Sequence, residues 1–265
     1  MFASSEQPRW AQGLNPDQWA AVSHEAASLQ IVAGAGTGKT RTLASRVARL
    51  IDDGIRPDRI LLLTFTRRAA QEMLDRVAAL TDTRAAGQVV GGTFHSVANR
   101  LLRRFGAPIG LPTGFTVIDQ GDAADLFGMV RAEHGMGERA RRFPKKETVA
   151  GIYSRMVNSQ ANLTTVLDEA FPWCRGHDDD LRTLFGAYTE RKRAQQILDY
   201  DDLLLFWRAL VTTPATAATV RGLFEHVLVD EYQDTNRIQA DIVAELCGGE
   251  AAVTVVGDDA QAIYG

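Results

Sequence analysis

Apolar residues in this chain gather in short runs, at positions 29–32, 60–63, 89–90, 227–229 and 253–256. Each run is too brief for a buried helix and is rich in Val, Ile and Leu, which predicts buried parallel strands. Most are followed by stretches in which apolar positions recur at the helical period: 41–51, 67–80, 96–105 and 238–246. Strand and helix in alternation predict an α/β fold, a parallel sheet with helices on both faces. In such sheets ligands gather at the carboxyl ends of the strands. The alternation fails between positions 106 and 198. Gly106, Pro108, Gly110, Pro112 and Gly114 mark a loop there, and 123–196 then reads as mostly helical, with polar interruptions at 135–137 and 176–180. The pattern therefore predicts an α/β domain in two parts, 1–106 and 199–265, around a mostly helical insertion, 107–198.

Between the first strand and its helix stands Ala33-Gly34-Ala35-Gly36-Thr37-Gly38-Lys39-Thr40. A glycine-rich turn from strand to helix is the phosphate-binding loop, or P-loop. Its backbone N–H groups converge on phosphate oxygens, and the helix behind it points its positive end at the same anion. Lys39 is expected to reach the β- and γ-phosphates, and the Thr40 hydroxyl to hold Mg²⁺. The strict pattern opens with Gly, where this chain has Ala33; the glycines nearest the phosphates are present. A chance Gly-Lys-Thr in an ordinary turn is the bland alternative, and the flanking strand and helix speak against it.

A metal-bound nucleotide also needs a carboxylate. Val227-Leu228-Val229 ends in Asp230 and Glu231. Asp230 is placed to hold the metal, and Glu231 to orient or deprotonate a water aimed at the γ-phosphorus. Most Asp-Glu pairs are solvated surface; this one follows a buried strand in a chain that already carries a P-loop. The run 253–256 leads to Gln261, an amide that can donate and accept and so sense a γ-phosphate.

Composition narrows the picture little. At 45% apolar and 23% charged residues the chain reads as an ordinary soluble globular protein. A net charge of −4 leaves room for a nucleic-acid surface only as a local patch. Basic residues cluster at Arg100, Arg103 and Arg104, at Arg139, Arg141, Arg142, Lys145 and Lys146, and at Arg191, Lys192 and Arg193. Each cluster reads either as a solvated helix face or as phosphate contacts. Cys174 and Cys247 have no metal spacing and suit a reducing cytosol. The polar N-terminus lacks a signal peptide's apolar core, and no apolar run approaches a membrane span, so a cytoplasmic protein is expected.

Together these segments resemble the superfamily 1 DNA helicases of the UvrD/PcrA/Rep type. Leu14-Asn15-Pro16-Asp17-Gln18 is similar to the family's Q motif, with Gln18 the adenine reader. The P-loop, extended through Arg41 and Thr42, matches motif I, and the resemblance assigns Arg41 a nucleotide contact. Residues 64–73 resemble motif Ia, with Arg67-Arg68 where the family usually has Asn-Lys. Gly92-Thr93-Phe94-His95-Ser96 matches motif Ib, and Asp199-Tyr200-Asp201-Asp202-Leu203 the segment where the inserted domain returns. Residues 229–235 match motif II and 256–265 motif III. The resemblance implies a RecA-like domain 1A carrying a helical domain 1B, with ATP and Mg²⁺ as cofactors and 3′ to 5′ movement on single-stranded DNA. It implies that Phe65, Arg67, His95, Tyr200 and Tyr264 lie on or near that strand, and that basic residues of 1B such as Arg141 and Arg142 contact DNA backbones, junction DNA included. The family continues into domains 2A and 2B, which supply the arginines that complete the ATP site. This sequence ends within motif III, so it is expected to be the N-terminal piece of a larger protein. Two other readings are the helicase portion of a recombination helicase-nuclease and a nucleic-acid-binding module without hydrolysis; intact Lys39, Asp230 and Glu231 speak against the latter.

Overall fold

The computed structural model describes residues 7–136 and 143–258. Its elements in chain order are α1 (Pro16–Ser23), β1 (Ser28–Val32), α2 (Lys39–Asp52), β2 (Ile60–Thr64), α3 (Arg67–Leu80), α4 (Thr83–Ala86), β3 (Val90–Thr93), α5 (Phe94–Phe105), β4 (Thr116–Val117), α6 (Gln120–Glu133), α7 (Lys146–Ser159), α8 (Leu163–Ala170), α9 (Asp178–Gln195), β5 (Ile197–Leu198), α10 (Tyr200–Thr212), α11 (Pro214–Arg221), β6 (His226–Val229), α12 (Arg237–Cys247) and β7 (Ala252–Gly257). No single helix among the described residues is long and apolar enough to cross a membrane.

Two compact units form among these residues. One comprises residues up to 97, 216–235 and 242 onward; the other comprises 98–215 and 236–241. The helical unit is thus wider than 107–198. Most of α5, and all of α10, group with it.

The first unit is built on a parallel sheet in the order β1-β7-β6-β2-β3. β2 is buried along its whole length, as its unbroken apolar run predicts. β1 is different: expected to be buried, it alternates between exposed and half-buried residues, and Val32 is 53% exposed. Among the described residues it is an edge strand, paired with β7 on one flank only. Leu43 and Val47 of α2, Met73 and Val77 of α3, and Leu62, Leu228 and Val256 of the sheet form one core. Each such side chain contributes about 1.5–3 kcal/mol relative to exposure. Buried Arg46 pins α1 against α2 and the sheet, donating to the Ala21, Val22 and His24 carbonyls and to Thr254 Oγ1.

The second unit is helical around Phe127, Val149, Leu163, Leu181 and Tyr188. Phe127 and Tyr188 stack with ring centroids 3.7 Å apart. Two short strands, β4 and β5, pair parallel there; neither has enough residues to show a period in the sequence.

Candidate nucleotide site

The strand order explains how distant segments meet. β7 lies between β1 and β6, so the turns that follow these three strands are neighbours at one end of the sheet. The Ala33 N–H donates to the Gly257 carbonyl at 3.0 Å, fastening the P-loop to the end of β7. The Thr37 hydroxyl donates to the Gly34 carbonyl at 2.8 Å and closes the loop on itself. Gly36 and Gly38 take left-handed backbone, and Gly38 caps α2. A Cβ on Gly38 would stand 2.7 Å from Gln18 Nε2, so glycine is what admits the glutamine. Lys39, Thr40 and Arg41 fill the first turn of α2, whose leading N–H groups have no intrahelical partners.

Gln18 is anchored at both ends of its amide. Its Oε1 accepts from the Asn15 N–H at 3.1 Å within a capping box, and its Nε2 donates to the Thr37 carbonyl at 2.9 Å. The expected adenine reader thus also braces the P-loop. Arg41 Nη2 donates to the Gln12 carbonyl at 2.5 Å, so its head group lies against the loop before α1.

Asp230 ends β6 and is 4% exposed. Among the described residues, its Oδ1 is buried without a hydrogen-bond partner. Burial first, and the adjoining Glu231 carboxylate second, push its carboxyl up to about 6. Glu231 takes left-handed backbone at φ 50, uncommon for a residue with a Cβ. Lys39 Nζ lies 3.7 Å from Glu231 Oε2 and 3.6 Å from Asp258 Oδ2. The loop lysine is therefore flanked by acids from two neighbouring strand ends.

Asp258 and Gln233 fall within the segments matched to motifs III and II, but the sequence gives neither a role of its own. Asp258 carried a usable signal: an acid directly after a strand, as at Asp230. Gln233 had only its place in motif II. Its Nε2 donates to Glu231 Oε2 at 2.6 Å and its Oε1 accepts from the Asp258 N–H at 3.0 Å. Gln261, expected at this site, lies outside the described residues.

Residues 14–265 match the UvrD/REP helicase N-terminal domain. The chain belongs to the UvrD/REP helicase family. It is 36% identical to the ATP-dependent DNA helicase UvrD1 of Mycobacterium leprae, across 98% of this chain and 35% of that protein. It is 36% identical to the ATP-dependent DNA helicase PcrA of Leuconostoc citreum, across 96% of this chain and 33% of PcrA. Against UvrD1 of Mycobacterium tuberculosis strain H37Rv the identity is 37%, across 95% and 34%. The chain spans about a third of the length of these relatives.

The residues that UvrD/REP resemblance assigns to DNA are distributed over both units. In the sheet unit, Phe65 and Arg67 follow β2 and His95 follows β3. Phe65 is half-buried and tilts against Phe94 with centroids 5.8 Å apart; Arg67 is exposed. Burial lowers the His95 imidazole from its ordinary value, which favours the neutral form. In the helical unit, Tyr200 opens α10 and helps line a cavity of about 750 Å³ with Phe127, Tyr153, Asn158 and Phe171. Tyr264, Arg141 and Arg142 lie outside the described residues.

Among the basic clusters, Lys192 requires a correction. It is buried and donates to Asp199 at 2.6 Å and to Asp202 at 2.5 Å, so it faces no phosphate. Arg191 pairs with Glu133, and Arg193 with Glu190. Arg103 donates to the Phe115 carbonyl and stacks over that ring at 4.4 Å.

Proposed function

We propose that this chain is the nucleotide-binding motor core of a cytoplasmic ATP-dependent DNA helicase that moves 3′ to 5′ on single-stranded DNA. The observation that carries this reading is Asp230: a buried carboxylate with an oxygen unpartnered among the described residues, separated from the P-loop by the end of β7 alone. A buried charge of that kind is costly unless it meets a cation. Among the described residues no cluster of three or more His, Cys, Asp or Glu could cage a metal. A single carboxylate with the Thr40 hydroxyl suits Mg²⁺, whose remaining ligands are phosphate and water. When bound, the ion neutralises charge on the phosphate oxygens. Lys39 turns from Glu231 and Asp258 toward the β- and γ-phosphates. Gln18 and Arg41 border the base, and Glu231 holds the attacking water and accepts its proton. Gln261 senses the γ-phosphate.

On the sheet unit, Phe65, Arg67 and His95 offer a strand a stacking ring, a cation and a neutral imidazole; on the helical unit, Tyr200 offers a second ring. Tyr264, Arg141 and Arg142 add to these contacts. Base stacking on such rings contributes about 1–3 kcal/mol per base without regard to sequence. The greater length of the relatives supports domains 2A and 2B as further partners, which complete the ATP site and engage junction DNA. The chain by itself then hydrolyses ATP slowly and does not unwind duplex. Steady-state ATPase assays with and without oligonucleotide test this. The expected rate depends on Glu231 and lies about 10³-fold or more below that of a full-length relative, because stabilising arginines are worth that much. Turnover that persists in Glu231→Gln overturns the assignment.

A further inference from the structure

We propose that Gln233 is a positioning residue for ATP hydrolysis, tying Glu231 to the end of β7; this rests on the reading of Glu231 given above. One side-chain amide spans two strand ends. Its NH₂ donates to Glu231 Oε2 at 2.6 Å, and its carbonyl accepts the Asp258 N–H at 3.0 Å. The partners fix which way the amide points: a carboxylate can only accept, and a backbone N–H can only donate. Reversing it would break both bonds, so the clamp has one orientation.

Three further features fit a built arrangement. Gly257 makes room for it, since a Cβ there would stand 2.8 Å from Gln233 Oε1. Glu231 holds left-handed backbone, a conformation that costs on the order of 1 kcal/mol or more in a non-glycine residue and persists only when neighbours impose it. The turn Tyr232–Asp234 folds back at once, which brings Gln233 under the Glu231 carboxylate. Lys39 faces both strand ends through Glu231 and Asp258, and its Nζ and the Gln233 amide meet the same Glu231 oxygen, Oε2, at 3.7 and 2.6 Å.

The physical consequence follows from the length of a glutamate side chain. Unclamped, its carboxylate samples several rotamers, and few of them aim an oxygen at one water. With Oε2 held by the amide, Oε1 is left to face the water. Because the other end of the amide is bonded to β7, the aim of the base is set by the strand that leads to Asp258.

Single-turnover hydrolysis, with this chain in excess over Mg·ATP, tests the proposal alongside calorimetric affinity for Mg·ATP. Gln233→Met keeps the length and removes the amide; Gln233→Glu keeps the shape and removes the donor. Both are expected to slow hydrolysis at saturation by about ten- to hundredfold, the cost of misplacing a catalytic group. Affinity should stay within about twofold, because the contact acts on the chemical step. Gln233→Met placed on Glu231→Gln should add no further loss, since the two act as one unit. Unchanged rates in both variants, an affinity loss that matches the rate loss, or full additivity on Glu231→Gln would each overturn the proposal. If the parent chain shows no turnover, or turnover indifferent to Glu231→Gln, the reading of Glu231 falls and Gln233 falls with it. If Glu231→Gln abolishes turnover and the Gln233 variants do not, the proposal alone fails.

Discussion

Burial and the neighbouring Glu231 hold the Asp230 carboxyl at about 6, against an ordinary 3.8. Between those values the folded chain keeps a proton that the unfolded chain has released. Stability therefore falls as pH rises through this window, and the whole penalty is present above about 6. The cost at neutral pH is on the order of 1–3 kcal/mol. Asp230→Asn removes the charge at constant shape, so in chelator at pH 7.5 it should raise the thermal midpoint by about 2–8 °C. The gain should shrink at pH 5, and the same variant should lose metal-dependent nucleotide affinity. A variant that melts lower than the parent at pH 7.5 would mean that the carboxylate is already compensated. The position of Asp230 was legible in the sequence, as an acid at the end of an apolar run. Its unpartnered oxygen was not, because that depends on what β2 and β7 place around it. The Gln233 clamp was illegible for the same reason: its two ends meet residues 2 and 25 positions away, the latter through strand order alone.

The turn from α9 through β5 into α10 shows a whole element organised by buried charge. Asp199 caps α10 and forms a capping box with Asp202. Lys192 donates to both, and the Tyr188 hydroxyl donates to Asp199 at 2.7 Å. Burial pulls the Lys192 ammonium down, but Asp199 and Asp202 together outweigh it and raise its pKa. Burial and Asp199 push Asp202 up to about 6. Removing the lysine strands two buried acids, so Lys192→Met should destabilise the fold by about 3–5 kcal/mol in urea unfolding at pH 7.5. A loss under about 1 kcal/mol would place Lys192 at a solvated face after all. In the sequence, Arg191-Lys192-Arg193 reads as one basic patch. What separates its members is the left-handed end of α9 at Gln196, φ 54, which returns the chain so that acids seven and ten residues on meet the ammonium. Helix period locates α9; it does not say which of three adjacent cations turns inward.

For the molecule as a whole, the alternation of strand and helix was the most legible feature. The expected strands lie at β1, β2, β3, β6 and β7, and the expected helices at α2, α3, α5 and α12, with ends shifted by up to three residues. These elements bury one face each, and periodicity records that directly. The order β1-β7-β6-β2-β3 is invisible to periodicity, yet it is what makes neighbours of Lys39, Glu231 and Asp258. The extent of the helical unit was also less legible, since α10 carries the same amphipathic pattern in whichever unit it packs. Every role proposed above requires that these neighbouring strand ends bind Mg·ATP. Calorimetric titration of the chain with Mg·ATP, beside Lys39→Ala, tests it most directly. Loss of the ammonium should remove a charge-assisted contact of about 1.5–3 kcal/mol, a ten- to hundredfold weakening. Equal affinity in the two proteins, or no binding in either, would contradict the account.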